Sequence, residues 1–288
     1  MLEQLYNLYS KVIDTVSNWR STPWVQIPNE VENMIDTIDQ FNKDCMKLPG
    51  PLRTWDAYKE LKQKLEDMGK ILPLVQSLTK PSIKDRHWEE IIELTGKDIP
   101  YKSETFTLDQ LLQTNLLEYE GDIEEIADSA DKQLKLEKEL YENIIAYWQE
   151  AELEIKSTKA VEQPCILGGN IVEIQETLEE HIMQLNQMNA MRYVTPFKSE
   201  VEECIHQYNE VSDTIEKWLK VQVLWNSLVS VFKGGDIARN MPTEAKKFAK
   251  LDKDWLKLME RANEQRNVIQ CCTNDMLKSM LGPLQEDL

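Results

Sequence analysis

Four features of the sequence could do chemistry by residue type and spacing. Glu203-Cys204-Ile205-His206 has the Glu-x-x-His spacing that two-metal carboxylate bundles use. Such a bundle needs a second copy of the spacing on a facing helix, and the chain has none. Cys204 and His206, two residues apart, point to different sides of a helix and do not converge on a zinc ion. His87, between Arg86 and Trp88, could act as a base or a ligand, but no serine or cysteine nucleophile is placed to use it. The plainer reading is a histidine bonded to a neighbouring loop. His181 and His206 read as ordinary helix-face residues. A phosphate cradle would need G-x-x-x-x-G-K-[ST], which is absent; Gly168-Gly169 and Gly234-Gly235 read as helix ends. The acidic pairs Glu89-Glu90, Glu124-Glu125, Glu179-Glu180 and Glu202-Glu203 read as solvated helix faces rather than carboxylate dyads.

What the chain does carry at regular spacing is bulk. Tyr208, Val211, Ile215, Trp218, Gln222, Trp225, Val229 and Phe232 recur in steps of three and four, which keeps them on one face of a helix. A second row runs Val221, Leu224, Leu228, Val231. Between Trp218 and Phe232 the one charge is Lys220, so this helix is expected to be buried on most sides. It ends before Gly234-Gly235, and Pro242 sits where a new helix would begin.

The composition fits a helical framework. The chain has 288 residues, with Lys+Arg 33 against Asp+Glu 51, a net charge of −18. That balance excludes nucleic acid, whose phosphates need a basic surface, and weighs against direct contact with microtubules or anionic membranes. Eight tryptophans and 41% apolar residues argue against disorder. Five scattered cysteines without C-x-x-C read as reduced thiols of an intracellular protein. Met1-Leu2-Glu3-Gln4 does not open a signal peptide, and no run is apolar enough to span a membrane.

Helices are expected over 1–20, from Asn29 to about Lys47, and from Leu52 to about Ile71, where Pro73 ends or kinks the last. A short helix over 82–94 holds Arg86-His87-Trp88. Thr107 caps a helix from Leu108 to Leu117, and a long helix runs from about Tyr119 to Lys156, roughly 55 Å. Residues 157–169 read as a linker. Helices resume over 170–191, from beyond Pro196 to Phe232, and over about 243–262 and 265–281. No useful strand alternation appears. The expected fold class is all-α, an elongated rod of stacked antiparallel helical bundles, with 157–169, Pro73 and Pro196 as flex points. The last residues, still rich in helix formers, suggest a piece of a larger protein. Lys246, Lys247, Lys250, Lys253 and Lys257 form a basic stripe, either a solvated face with i,i+4 pairs or a docking face for an acidic partner.

Several of these segments also resemble the linker region of dynein heavy chains. Trp218-x-x-Val221-Gln222-x-x-Trp225, then Leu228, Phe232, Asp236-Ile237, Met241-Pro242-x-Glu244, Phe248 and Asp252-x-x-Trp255 carry the resemblance. So do Arg86-His87-Trp88 with Leu94-Thr95-Gly96, Phe106-x-Leu108-x-x-Leu111-Leu112, and Ala130 with Leu136-Glu137 and Leu140 in the long helix. Trp148 falls one residue later than the family's closing aromatic, leaving Tyr147 as the alternative. Gln133 stands where the family usually has Glu, and Ser227 and Val229 replace a Tyr and a Glu. Asn267-Val268-Ile269 looks closest to axonemal, outer-arm-type chains.

The resemblance implies a non-catalytic mechanical part: a helical lever across an AAA+ ring of the same heavy chain, bending with nucleotide state and leading to the tail. It implies segments 1–80 leading into the linker, 81–156 and 170–288 as linker subdomains, and 157–169 as their connecting loop. It implies no cofactor here, with ATP and Mg in the ring, and other dynein chains or docking factors on the N-terminal side. Microtubule contact would be indirect, and the location the cytoplasm and the ciliary or flagellar axoneme. The contrasting reading from the residues alone is a spectrin-like tethering scaffold with no motor attached; it would show repeats of about one hundred residues with matching tryptophans. None is seen.

Overall fold

The computed structural model describes residues 2–233 and 239–287. Among the described residues the chain is all-α apart from one hairpin of two-residue strands and two isolated β-bridges, and it divides into two compact units, Met1–Leu134 and Lys135–Leu288. Gly234, Gly235, Asp236 and Ile237 lie outside the described residues.

The first unit is built on three helices, α1 (Leu2–Arg20), α2 (Ile27–Met46) and α3 (Asp56–Leu78). Pro28 sits in the first turn of α2, where its missing N–H has no helical partner to lose. The α2 stripe Val31, Met34, Ile38, Phe41, Cys45 faces the α3 stripe Tyr58, Leu61, Leu65, Met68, Leu72, Val75, and all are buried. Pro73 neither ends α3 nor starts a linker: the helix continues to Leu78. Leu72, Leu74, Val75 and Leu78 are all buried around the proline. Their burial, roughly 1.5–3 kcal/mol each, outweighs the proline's helix penalty of about 3 kcal/mol.

Two short helices complete this unit, α4 (Asp85–Thr95) and α5 (Leu108–Leu112). Gly96 ends α4 at φ 65, the left-handed conformation that favours glycine. At Thr107 the backbone N–H is taken by the Gln110 side chain. α5 stops at Leu112 rather than Leu117, because Asn115 adopts φ 58 and opens a separate turn, Leu116–Tyr119.

The expected long helix runs as α6 (Glu120–Lys138), a π-helical stretch Glu139–Ile145, and α7 (Ala146–Glu150). It ends six residues short of Lys156, because Ala151 turns extended. Residues Ile155–Lys156 (β1) instead pair antiparallel with Ile166–Leu167 (β2), Ile155 opposite Leu167. The segment 157–169, expected as a connecting linker, is therefore largely a hairpin, with Val161 and Cys165 buried. Gly168 and Gly169 end no helix; they precede one. A Cβ on Gly168 would lie 2.6–2.9 Å from the Glu154 side chain, so only glycine fits there.

The second unit then carries α8 (Ile171–Asn189), α9 (Lys198–Phe232), α10 (Pro242–Glu264), α11 (Val268–Cys272) and α12 (Asp275–Asp287). A 3-10 stretch, Arg192–Phe197, holds Pro196 and leads into α9. The last expected helix is split at Thr273-Asn274, where the Asn274 side chain accepts from the backbone N–H of Met276 at 3.0 Å. In α9 the first row is buried except Gln222 and Phe232, which are half-buried. The second row divides: Val221 is buried and Leu228 half-buried, whereas Leu224 and Val231 are 39% and 40% exposed, and Val223 between the rows is 64% exposed. One side of α9 thus meets the core and another meets solvent, although both are apolar.

Candidate functional site

The W-x-x-V-Q-x-x-W segment bonds α9 to α10 and to the hairpin. Trp218, fully buried, donates its indole N–H to the Met259 sulfur of α10 at 3.3 Å. One turn on, Gln222 Oε1 accepts the backbone N–H of Leu167 in β2 at 2.7 Å. Trp225 donates to Asp252 Oδ1 at 2.9 Å and stacks on Trp255, ring centres 5.5 Å apart. Trp255 in turn donates to the carbonyl of Cys165 at 3.0 Å. Phe232 stacks on Phe248 at 5.0 Å, and Lys233 lies 3.7 Å from Asp252. Three separate pieces of chain, α9, α10 and the hairpin, are tied by these side-chain contacts. Pro242 opens α10, and Glu244 in its first turn is exposed. Asp236 and Ile237 lie outside the described residues.

Trp148, at 2% exposure, is the aromatic that closes the long helix; Tyr147 lies on its edge, half-exposed. Trp148 donates to His181 Nδ1 at 2.9 Å. His181 is therefore no ordinary face residue: its Nδ1 must stay unprotonated to accept. Burial holds its pKa below the usual 6.5, although Glu180 and Glu139 pull the other way. Asn267, at the start of α11, reaches back to the end of α7. Its Nδ2 is 3.0 Å from the carbonyls of Trp148 and Gln149, and 3.3 Å from that of Ala151. Its Oδ1 caps α11 by accepting from Gln270 N. The sequence reading places Asn267 inside a helix over about 265–281; an asparagine just before Val268-Ile269 is the N-cap signal that could have marked the helix start there, and its second role left none.

In the first unit Arg86-His87-Trp88 fans out to two places. Trp88 joins an aromatic cluster with Trp24, Tyr101 and Phe106, at centre distances of 5.2–6.5 Å. Arg86 Nε and His87 Nε2 both approach Gln133 Oε1, at 2.8 and 3.0 Å. His87 Nδ1 accepts from the backbone N–H of Lys84, so the ring proton sits on Nε2 and is donated to Gln133. Burial lowers the His87 pKa, with the Arg86 charge adding to it; the Gln133 bond opposes this. A neutral amide suits the spot, since its oxygen accepts two bonds without a buried charge.

Cys204 is half-buried with its thiol pushed up by burial, and His206 beside it is exposed. The thiols of Cys271 and Cys272 are also raised by burial, Cys271 to about 12. Glu203 and the acidic pairs face solvent. Among the described residues no group of three or more His, Cys, Asp or Glu could hold a metal, and no helix is long and apolar enough to cross a membrane.

Residues 1–288 match a family model described as dynein heavy chain, N-terminal region 2. The chain belongs to the dynein heavy chain family. It is 36% identical over 289 residues to dynein axonemal heavy chain 8 of Mus musculus, and equally to the flagellar outer arm dynein gamma chain of Chlamydomonas reinhardtii, with 100% of this chain covered in each. Dynein axonemal heavy chain 5 of Rattus norvegicus is 34% identical over 283 residues, or 98% of this chain. The chain spans only 6%, 6% and 8% of those heavy chains, respectively. The tryptophan node and the Arg86–His87–Gln133 node are thus parts of a dynein heavy chain N-terminal region.

Proposed function

We propose that this segment is a non-catalytic mechanical linker of an axonemal dynein heavy chain. It couples an ATP-driven AAA+ ring in the same chain to the tail, so that nucleotide turnover drives movement along microtubules. The supporting observation is the node at Trp218, Gln222 and Trp225: its polar atoms are spent on holding α9, α10 and the hairpin together. A body that transmits force needs such cross-ties, because an untied helix end opens locally before it carries load. On this reading ATP and Mg belong to the ring. Other dynein chains or docking factors meet the N-terminal side, microtubule contact is indirect, and the protein works in the ciliary or flagellar axoneme.

The test is made in a motor that carries this segment. Trp225→Ala should cost roughly 3–5 kcal/mol of unfolding free energy locally. It should slow microtubule gliding while ATP hydrolysis by the ring continues. Gliding and hydrolysis that fall together, or gliding that is unchanged, would sink the mechanical reading. Nucleotide binding by the purified 288-residue chain in calorimetry would contradict the non-catalytic assignment.

A further inference from the structure

The basic stripe foreseen in the sequence stands on the crest of α10. Phe248, Trp255, Leu258, Met259 and Ala262 face the core, and Lys246, Lys250, Lys253 and Lys257 lie on the opposite side, all exposed. They follow steps of four, three and four, over about 16 Å of helix. Lys246 and Lys250, and again Lys253 and Lys257, are like charges one turn apart, an arrangement that weakens a helix. The expected i,i+4 pairing is absent: none of these lysines is ion-paired to a described residue. Other lysines of the same unit are neutralised, Lys156 by Glu154, Lys198 by Glu202, Lys220 by Glu216 and Lys278 by Glu210. A concentrated, unneutralised positive line is unusual on a chain of net charge −18.

Beside this crest runs a groove of about 630 Å³ between α10 and α12. Lys247, Lys250 and Asp254 form its α10 wall, and Leu251, Met280, Pro283 and Leu284 supply apolar lining. Glu286 and Asp287 stand on the α12 side. The α10 wall is therefore basic on balance with one carboxylate in it, the lining apolar and the other wall acidic.

We propose that this face docks an acidic amphipathic helix from another polypeptide. Its carboxylates lie along Lys246, Lys250, Lys253 and Lys257, and its apolar side enters the groove. The acidic α12 wall sets which way round the incoming helix sits, since its carboxylates are repelled there and attracted on the α10 side. A single helix of another polypeptide fits better than a second copy, because a copy sets a net charge of −18 against −18, whereas a helix brings only the few carboxylates that the stripe itself neutralises. The surface is independent of the mechanical reading and of the N-terminal contacts it implies.

The probe is a labelled synthetic amphipathic helix with Glu at four positions spaced four, three and four, and Leu alongside. Its twin has Gln at those positions, and polyglutamate serves as a disordered acidic control. Fluorescence anisotropy with the 288-residue chain should show the Glu helix binding at least about tenfold more tightly than the Gln twin. The advantage should shrink between roughly 0.05 and 0.3 M salt, as screening of exposed charges requires. The combined variant K246Q/K250Q/K253Q/K257Q should lose it, with a circular dichroism melt no lower than the parent's, since all four side chains are exposed and their mutual repulsion is removed. Equal binding of the Gln twin, undiminished binding by the variant, or no binding at all would overturn the proposal. So would polyglutamate binding as well as the helix. Self-association of the chain in sedimentation that the four substitutions abolish would make a second copy the occupant instead.

Discussion

Gln222 Oε1 accepts the backbone N–H of Leu167 at 2.7 Å, joining residues 55 apart in sequence. Leu167 is buried, so the amide has no water to turn to if the side chain is removed. Gln222→Ala is expected to cost about 1–3 kcal/mol, the range for stranding a buried donor. The check is urea unfolding together with hydrogen exchange at Leu167: protection there should collapse while the mid-helix amides of α8 keep theirs. Unchanged exchange at Leu167 would show that the hairpin holds itself.

Acid should loosen both units through two histidines. His87 is buried and His181 half-buried, both are neutral when folded, and burial sets their pKa below the ordinary 6.5. An unfolded imidazole takes up its proton near 6.5 and the folded ones only at lower pH. Their contribution is therefore complete above about pH 6.5 and is lost as pH falls toward the folded values. Protonation of His181 also places a proton on the nitrogen that accepts from Trp148. The melting temperature should fall between pH 7.5 and 5.5, and the fall should be smaller in His181→Gln than in the parent chain. Parallel melting curves for the two would refute the role of His181.

The heptad-like row from Tyr208 to Phe232 was readable because one helix face repeats with the geometry of the helix itself. The same rule misled at Val223, Leu224 and Val231. Hydropathy shows that a face is apolar, not that anything covers it. Gln222 was visible as the odd polar member of the row, but its partner was not. That partner is a backbone amide in strands of two residues, too short to leave an alternating pattern. Trp255 likewise bonds to the carbonyl of Cys165, a group every residue possesses. The Arg86–His87 pair was legible as a cluster; its meeting with Gln133, some 46 residues on, depends on how α4 lies against α6.

Pro73 supplies a prediction of opposite sign. It sits exposed within α3, its ring replacing an N–H that would bond to the carbonyl of Gly69. Pro73→Ala restores that donor and relieves the clash with the preceding turn. Part of the gain is returned because the unfolded chain becomes freer. The expected net stabilisation is about 1–3 kcal/mol. A variant less stable than the parent in thermal or urea unfolding would mean that the proline at position 73 is itself needed for packing.

Asn267 separates two roles within one side chain. Its oxygen caps α11, and its amide nitrogen holds the carbonyls at the end of α7. Asn267→Asp keeps an oxygen for the cap but replaces the donor by an acceptor facing carbonyl oxygens. Asn267→Ala removes both. If capping were all that mattered, Asp would match Asn, and Ala would cost about 1 kcal/mol. The geometry predicts instead that Asp is at least as damaging as Ala, at roughly 2–4 kcal/mol, because a charge is brought against three carbonyls. Urea unfolding of the three proteins decides it, with hydrogen exchange at Val268, whose N–H bonds to the Ala151 carbonyl at 2.9 Å, reporting whether α7 and α11 have parted.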